Sequence, residues 1–164
     1  MAISDGLINE LQHEAATTRK ILERVPAEKF DWKPHEKSMA MGRLATHVAD
    51  MFSWFPGTLE RDEIDFANGY DEPKPATTEE LVALLDKNAA AAKESLQKME
   101  DAGFMKEWTL RNGEQVLMRL PKIAVLRGMV MNHIVHHRGQ LSVYLRLNDI
   151  PVPAMYGPSA DESI

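Results

Sequence analysis

His133 and His137 stand four residues apart in the segment Val130-Met131-Asn132-His133-Ile134-Val135-His136-His137-Arg138-Gly139-Gln140-Leu141. On a helix this spacing puts two imidazoles one turn apart on one face, so a nitrogen from each can reach the same divalent ion. With His133 as origin of a helical wheel, His137 lies at about 40°, Leu126 and Tyr144 near 20°, Val130 near 60° and Leu141 near 80°. The pair therefore sits inside the apolar stripe, with His136 on its flank at about −60°. A third histidine, His47, occupies the inward arc of another helical segment beside Leu44, Val48 and Met51. Three inward histidines from two helices can converge on one ion across a bundle core. The alternative is a set of hydrogen-bonded core histidines that never see metal, although burying adjacent imidazoles is costly unless something uses their polar atoms.

No Asp or Glu occurs between Arg119 and Asn148, so the segment that carries the pair offers no carboxylate ligand. Asp50 follows His47 by one turn but lies about −120° from Leu44, off the core face. Three histidines with an open fourth position make a site of the catalytic rather than the closed structural kind. Neutral imidazoles leave the charge of the ion uncompensated, so it would attract an anion or acidify a bound water or thiol. Imidazole ligation suits zinc or nickel first, with iron or manganese also compatible. The chain contains no cysteine, which removes thiolate zinc sites, iron–sulfur clusters and cysteine nucleophiles. Any thiol chemistry must bring its sulfur in as a cosubstrate. Gln140 at about −20° and Tyr144 at about 20° can line the site, as can Thr18 from the first helix. Their plainer roles are a polar residue at the core edge, a packed aromatic, and a hydroxyl bonded one turn back. Arg138, at about 140°, is expected in a salt bridge at a helix or dimer surface. His13 and His35 read as solvent-exposed.

Four long segments of helical apolar periodicity must position these residues. The first runs from about Ser4 to Val25, with Leu7, Leu11, Ala15, Thr18 and Leu22 on one face and Pro26 ending it. A connector over Ala27 to Lys37 looks like a loop pinned by Trp32, and Ser38 can cap the second helix. That helix carries Met41, Leu44, His47, Val48, Met51 and Phe55 inward until Pro56-Gly57 kinks or ends it. The acidic stretch Arg61 to Pro75 reads as loop. Thr77 and Glu80 have capping-box spacing for a third helix that continues to Gly103. Alternating runs about Asn112-Gly113 predict a small β-hairpin. Pro121 then fits the first turn of the last helix, which runs to about Leu147. A Pro- and Gly-bearing tail from Asp149 reads as an extended arm. One domain over residues 1–164, all-α with a hairpin insertion, is expected.

Nineteen Lys and Arg against 25 Asp and Glu leave a net charge of −6, and the basic residues are scattered. Nucleic-acid binding, which draws its affinity from clustered cations, is not expected. The first residues lack a basic region followed by an apolar run, and nothing approaches the roughly 20 apolar residues of a membrane span. A cytoplasmic protein without a membrane partner is the expectation.

The segment His133 to Leu141, taken with Leu44-Ala45-Thr46-His47-Val48-Ala49-Asp50, closely resembles the DinB-like family of metal-binding four-helix bundles. Glu14-Ala15-Ala16-Thr17-Thr18-Arg19, Trp32-Lys33-Pro34 and the ending Pro151 to Pro158 are similar as well, so the resemblance covers nearly the whole chain. It implies a four-helix bundle in an up-down-down-up arrangement, usually a homodimer, with a divalent metal on His47, His133 and His137. It also implies a small-molecule substrate. Members with known activities are mostly transferases or isomerases using low-molecular-weight thiols such as bacillithiol or mycothiol. A metal-dependent hydrolase, or a non-catalytic metal- or ligand-binding stress-response protein, is the alternative.

Overall fold

The structure is a computed structural model and describes residues 2–163. Four helices form the frame: α1 (Ile3–Leu22), α2 (Met41–Asp50), α4 (Thr78–Lys98) and α7 (Asn132–Leu147). Between them lie the short helices α3 (Trp54–Leu59), α5 (Asp101–Phe104) and α6 (Lys122–Ala124), and strands β1 (Glu63–Asp65), β2 (Glu107–Asn112) and β3 (Gln115–Pro121). The fold is thus mostly helical with a small sheet, and the expected count of four helices is exceeded. Helix α2 packs against α4 and α7, and α1 packs against the same two. Leu11, Leu22, Leu44, Val48, Phe52, Leu85, Leu96, Leu126, Leu141 and Leu145 meet in one core. Each such side chain contributes roughly 1.5–3 kcal/mol when fully buried.

Several boundaries differ from the periodicity reading, each for a local reason. Ser38 does not cap α2, whose N-cap is Ala40 without a side-chain bond. The Met41 and Gly42 amides instead donate to the Trp32 and Phe30 carbonyls at 2.7 and 2.9 Å, so the connector itself satisfies the helix start. This approach needs Gly42, because a Cβ there would stand 2.7 Å from the Phe30 ring. Helix α2 stops at Asp50, a 3-10 turn follows over Met51–Ser53, and α3 then runs through Pro56. Proline is tolerated there because it lies in the first turn, where no intrahelical donor is lost.

The Thr77 hydroxyl accepts from the Glu80 amide at 3.2 Å as the spacing predicts, whereas the Glu80 carboxylate accepts from Ala76. Helix α4 ends at Lys98 rather than Gly103, with Met99 extended before α5. The stretch after Arg61 is not all loop. Strand β1 pairs in parallel with β2, extending the predicted hairpin into a three-stranded sheet, and Arg111 reaches Glu63 at 2.7 Å and Asp65 at 2.5 Å. Asn112 pairs with Gln115, so Gly113 and Glu114 make the turn, and Gly113 at its first position takes a φ of 59°, a value that favours glycine. Trp108 buries itself with Leu110 and Val125, fastening the sheet to the approach to α7.

That approach is not regular helix. Residues Val125–Met131 form a π-helix before α7 resumes at Asn132. A wheel of 100° per residue therefore holds for His133 onward and misplaces residues before it. The extended arm after Asp149 is held back on the bundle. Arg24 pairs with Glu162 at 2.5 Å, and Arg146 with Asp161 at 2.5 Å.

Candidate metal centre

His47 projects from α2, and His133 and His137 from the first turns of α7, and the packing of these helices brings the three rings together. Ring centroids of His47 lie 5.3 Å from His133 and 4.8 Å from His137. One nitrogen from each ring falls within 4.8 Å of the others, an arrangement that could hold a metal ion. The Nε2 atoms of His133 and His137 face each other at 2.8 Å. His137 is 9% exposed, and the other two are half-buried.

A family model for the DinB family matches residues 3–163. The chain belongs to the DinB family. Among similar proteins of Bacillus subtilis (strain 168) are the uncharacterized protein YrdA, 24% identical over 158 residues (96% of this chain, 90% of that protein), and the uncharacterized protein YjoA, 25% identical over 154 residues (89% and 91%). Two solved structures share the fold. A DinB-like protein from Bacillus cereus ATCC 10987 has a TM-score of 0.71 at 22% identity, covering 94% of this chain and 98% of that one. The DinB-like protein YjoA of Bacillus subtilis has a TM-score of 0.72 at 20% identity, covering 92% and 97%.

The DinB-family site is electrostatically prepared for a cation. Burial, then the neighbouring His137 and His133, pushes the His47 pKa down to about 4. Burial also lowers the His133 and His137 values. All three rings are therefore neutral near pH 7, with lone pairs available. The His137 Nδ1 lies 2.7 Å from Gln140 Oε1. An amide oxygen only accepts, so Nδ1 carries the hydrogen and Nε2 keeps its lone pair. His133 is held by a hydrogen bond to the Met129 backbone, which lies in the π-helical segment. Gln140 thus fixes the tautomer of the His137 ring. Gln140→Ala is expected to weaken zinc affinity about 10–100-fold, measured by competition with a chromophoric chelator.

The metal-free protein has a pH signature of definite sign. The unfolded His47 ring takes up a proton near pH 6.5 and the folded one only near pH 4. Its stabilising contribution is complete above pH 6.5 and is lost as pH falls through about 4. The melting temperature is expected to fall with acidification across that window. His47→Gln should flatten the fall, and an equal slope in the variant would contradict the assignment.

The remaining candidates are placed as follows. Tyr144 donates to the Met39 carbonyl at 3.2 Å and packs edge-on to Trp32 at 5.5 Å, bracing the connector. Thr18 is fully buried and accepts from Arg138 at 2.9 Å. Neither is part of the histidine group. His136 stands edge-on to His137 at 4.8 Å but is exposed, as are His13 and His35.

Arg138 is not at a surface. It is 1% exposed, with Nη2 on the Glu14 carboxylate at 2.5 Å and Nη1 on the Glu14 carbonyl at 3.1 Å. The Tyr156 hydroxyl also accepts from Arg138 and donates to Glu14 at 2.7 Å. Burial, then the bond to Glu14, raises the Tyr156 pKa to about 12, so it stays a donor. Asp50, expected off the core face, is only 5% exposed because the Tyr70 hydroxyl donates to it from the loop after β1. Burial raises the Asp50 pKa above the ordinary carboxylate value.

Trp54 is a site residue that the spacing argument missed. Its ring stands edge-on to His47 at 5.8 Å and to His133 at 5.6 Å, walling the cluster. It follows His47 by seven residues, two helical turns, so the periodicity that selected His47 also pointed to it.

Proposed function

We propose that His47, His133 and His137 bind one divalent metal, zinc or nickel, and that the protein is an enzyme activating a low-molecular-weight thiol for S-transfer or isomerisation. It acts as a cytoplasmic homodimer on a small-molecule substrate. The observation that carries the reading is the convergence of three neutral imidazoles with no carboxylate among the grouped ligands. Such an ion keeps its full charge and lowers the pKa of a thiol at its open position, supplying a sulfur nucleophile near neutral pH.

The chain's own part is positioning. Gln140 sets the His137 tautomer, the Met129 backbone orients His133, and Trp54 shields one side of the cluster from water. Sulfur comes from the cosubstrate, because the chain has no cysteine.

The test incubates zinc- and nickel-loaded protein with a panel of electrophiles and with bacillithiol, mycothiol, glutathione or coenzyme A. Thiol consumption above the rate of free metal is expected, and its loss in His133→Ala/His137→Ala. Ester or amide hydrolysis without thiol consumption would assign a hydrolase instead. Metal binding without any turnover would leave a binding protein.

A further inference from the structure

Helix α7 has two faces of different character. The inner one carries the metal-site histidines His133 and His137 and the core residues Leu141 and Leu145. The outer one carries Val135, Gly139, Val143 and Leu147, a row of residues four apart. The three side chains of this row are 38%, 55% and 58% exposed, in that order. A solvated helix face is ordinarily polar, and α4 conforms, with Asp86, Lys87, Glu94 and Lys98 outward. Helix α7 contains no carboxylate, and Arg146 on its outer side is already paired with Asp161 at 2.5 Å.

Gly139 stands in the middle of this row. Glycine inside a helix weakens it relative to alanine. A Cβ at Gly139 would meet no heavy atom within 4 Å among the described residues, so packing within the chain does not call for glycine there. What the missing side chain provides is room for an approach from outside.

Charge and symmetry indicate what approaches. A nucleic acid, an anionic membrane or a strongly charged protein would need countercharges that this face lacks. The chain carries a net charge of −6, and two copies of it repel least where neither presents a carboxylate. A two-fold contact also requires that each residue and its counterpart can exchange places. Val135 and Val143 flank Gly139 at equal distances along the helix, as do His136 and Ser142. Antiparallel helices crossing at Gly139 therefore set Val135 against the partner's Val143 and His136 against the partner's Ser142, each twice. Ridges of residues four apart interdigitate at a crossing of about 50°, and glycine at the crossing point allows the closer end of the roughly 8–10 Å range of axial distances.

We propose that a second copy of this chain docks on the outer face of α7, antiparallel about Gly139. The inference supplies the interface of the homodimer proposed above and rests on that reading.

Sedimentation velocity on the zinc-loaded full chain, over a wide range of concentration, measures the dimer constant. Val143→Glu is expected to weaken the dimer about tenfold or more, because the contact then buries two unpaired carboxylates. Adding Val135→Lys to Val143→Glu should restore it to within about threefold of wild type, because each new ammonium faces a new carboxylate across the contact. Within one chain these positions are more than two helical turns apart and cannot pair, so the rescue reports contact between copies. Gly139→Leu should also weaken the dimer about tenfold or more, and the circular dichroism of every variant should match wild type, since all three positions are exposed. A dimer of wild-type strength in both Val143→Glu and Gly139→Leu would overturn this interface and leave the homodimer reading standing. Weakening without rescue by Val135→Lys would overturn the antiparallel pairing about Gly139. A wild-type chain that stays monomeric throughout would overturn the homodimer reading, and the interface with it.

Discussion

His137→Ala is expected to empty the metal centre. Protein purified without a histidine tag should carry close to one divalent ion per chain by elemental analysis, and the variant almost none. The loss should exceed the roughly 10–100-fold that removal of an outer-shell partner costs, because a ligand itself is gone. His137 faces both His133, at 2.8 Å, and His47, so its removal leaves two imidazoles on separate helices with no third to close the set. The fold should survive. In the metal-free protein the variant also removes a neighbour that depresses the His47 pKa, so its melting temperature should fall less on acidification than that of the wild type. Equal metal content in wild type and variant would sink the centre.

Arg138→Met is expected to produce the largest loss of stability of any single change considered. The guanidinium is 1% exposed and faces Glu14, itself 8% exposed, so removing the cation strands a buried carboxylate. Breaking such a pair from one side costs roughly 3–5 kcal/mol. For a domain of this size that corresponds to a fall in melting temperature of roughly 6–20 °C. Adding Glu14→Gln to Arg138→Met should recover part of the loss, because the stranded charge is gone. Tyr156→Phe keeps the ion pair and should cost only about 1 kcal/mol. Differential scanning calorimetry of the four proteins measures all of this, and a double variant no more stable than Arg138→Met would show that lost packing, not the unpaired charge, dominates.

The histidine pair was legible in the sequence because it depends on one local rule. Residues four apart on a helix share a face, and α7 is regular from Asn132 through Leu147. His47 could be added because it too lies in an apolar arc. The hairpin was equally local, since two alternating runs meet at a glycine, Gly113, that takes the positive φ of the turn. The contacts of Tyr70 with Asp50 and of Glu72 with Arg43 were not legible, because irregular backbone has no period from which to infer a neighbour. The π-helical turn before His133 was hidden for a related reason: its residues have the same apolar character as an ordinary helix, and only the hydrogen-bond register differs.

Arg138 shows where the boundary falls. A helical wheel places it correctly on the side of α7 away from the histidines, but cannot say what lies against that side. In the folded chain Glu14 of α1 and Tyr156 of the returning arm occupy it, from 124 and 18 residues away. Periodicity along the chain is set by backbone geometry, so one sequence suffices to assign residues to faces and to nominate three histidines as ligands. Which faces meet and which charges become buried depend on packing between elements distant in the chain. That packing optimises the whole core at once, and no local spacing encodes it.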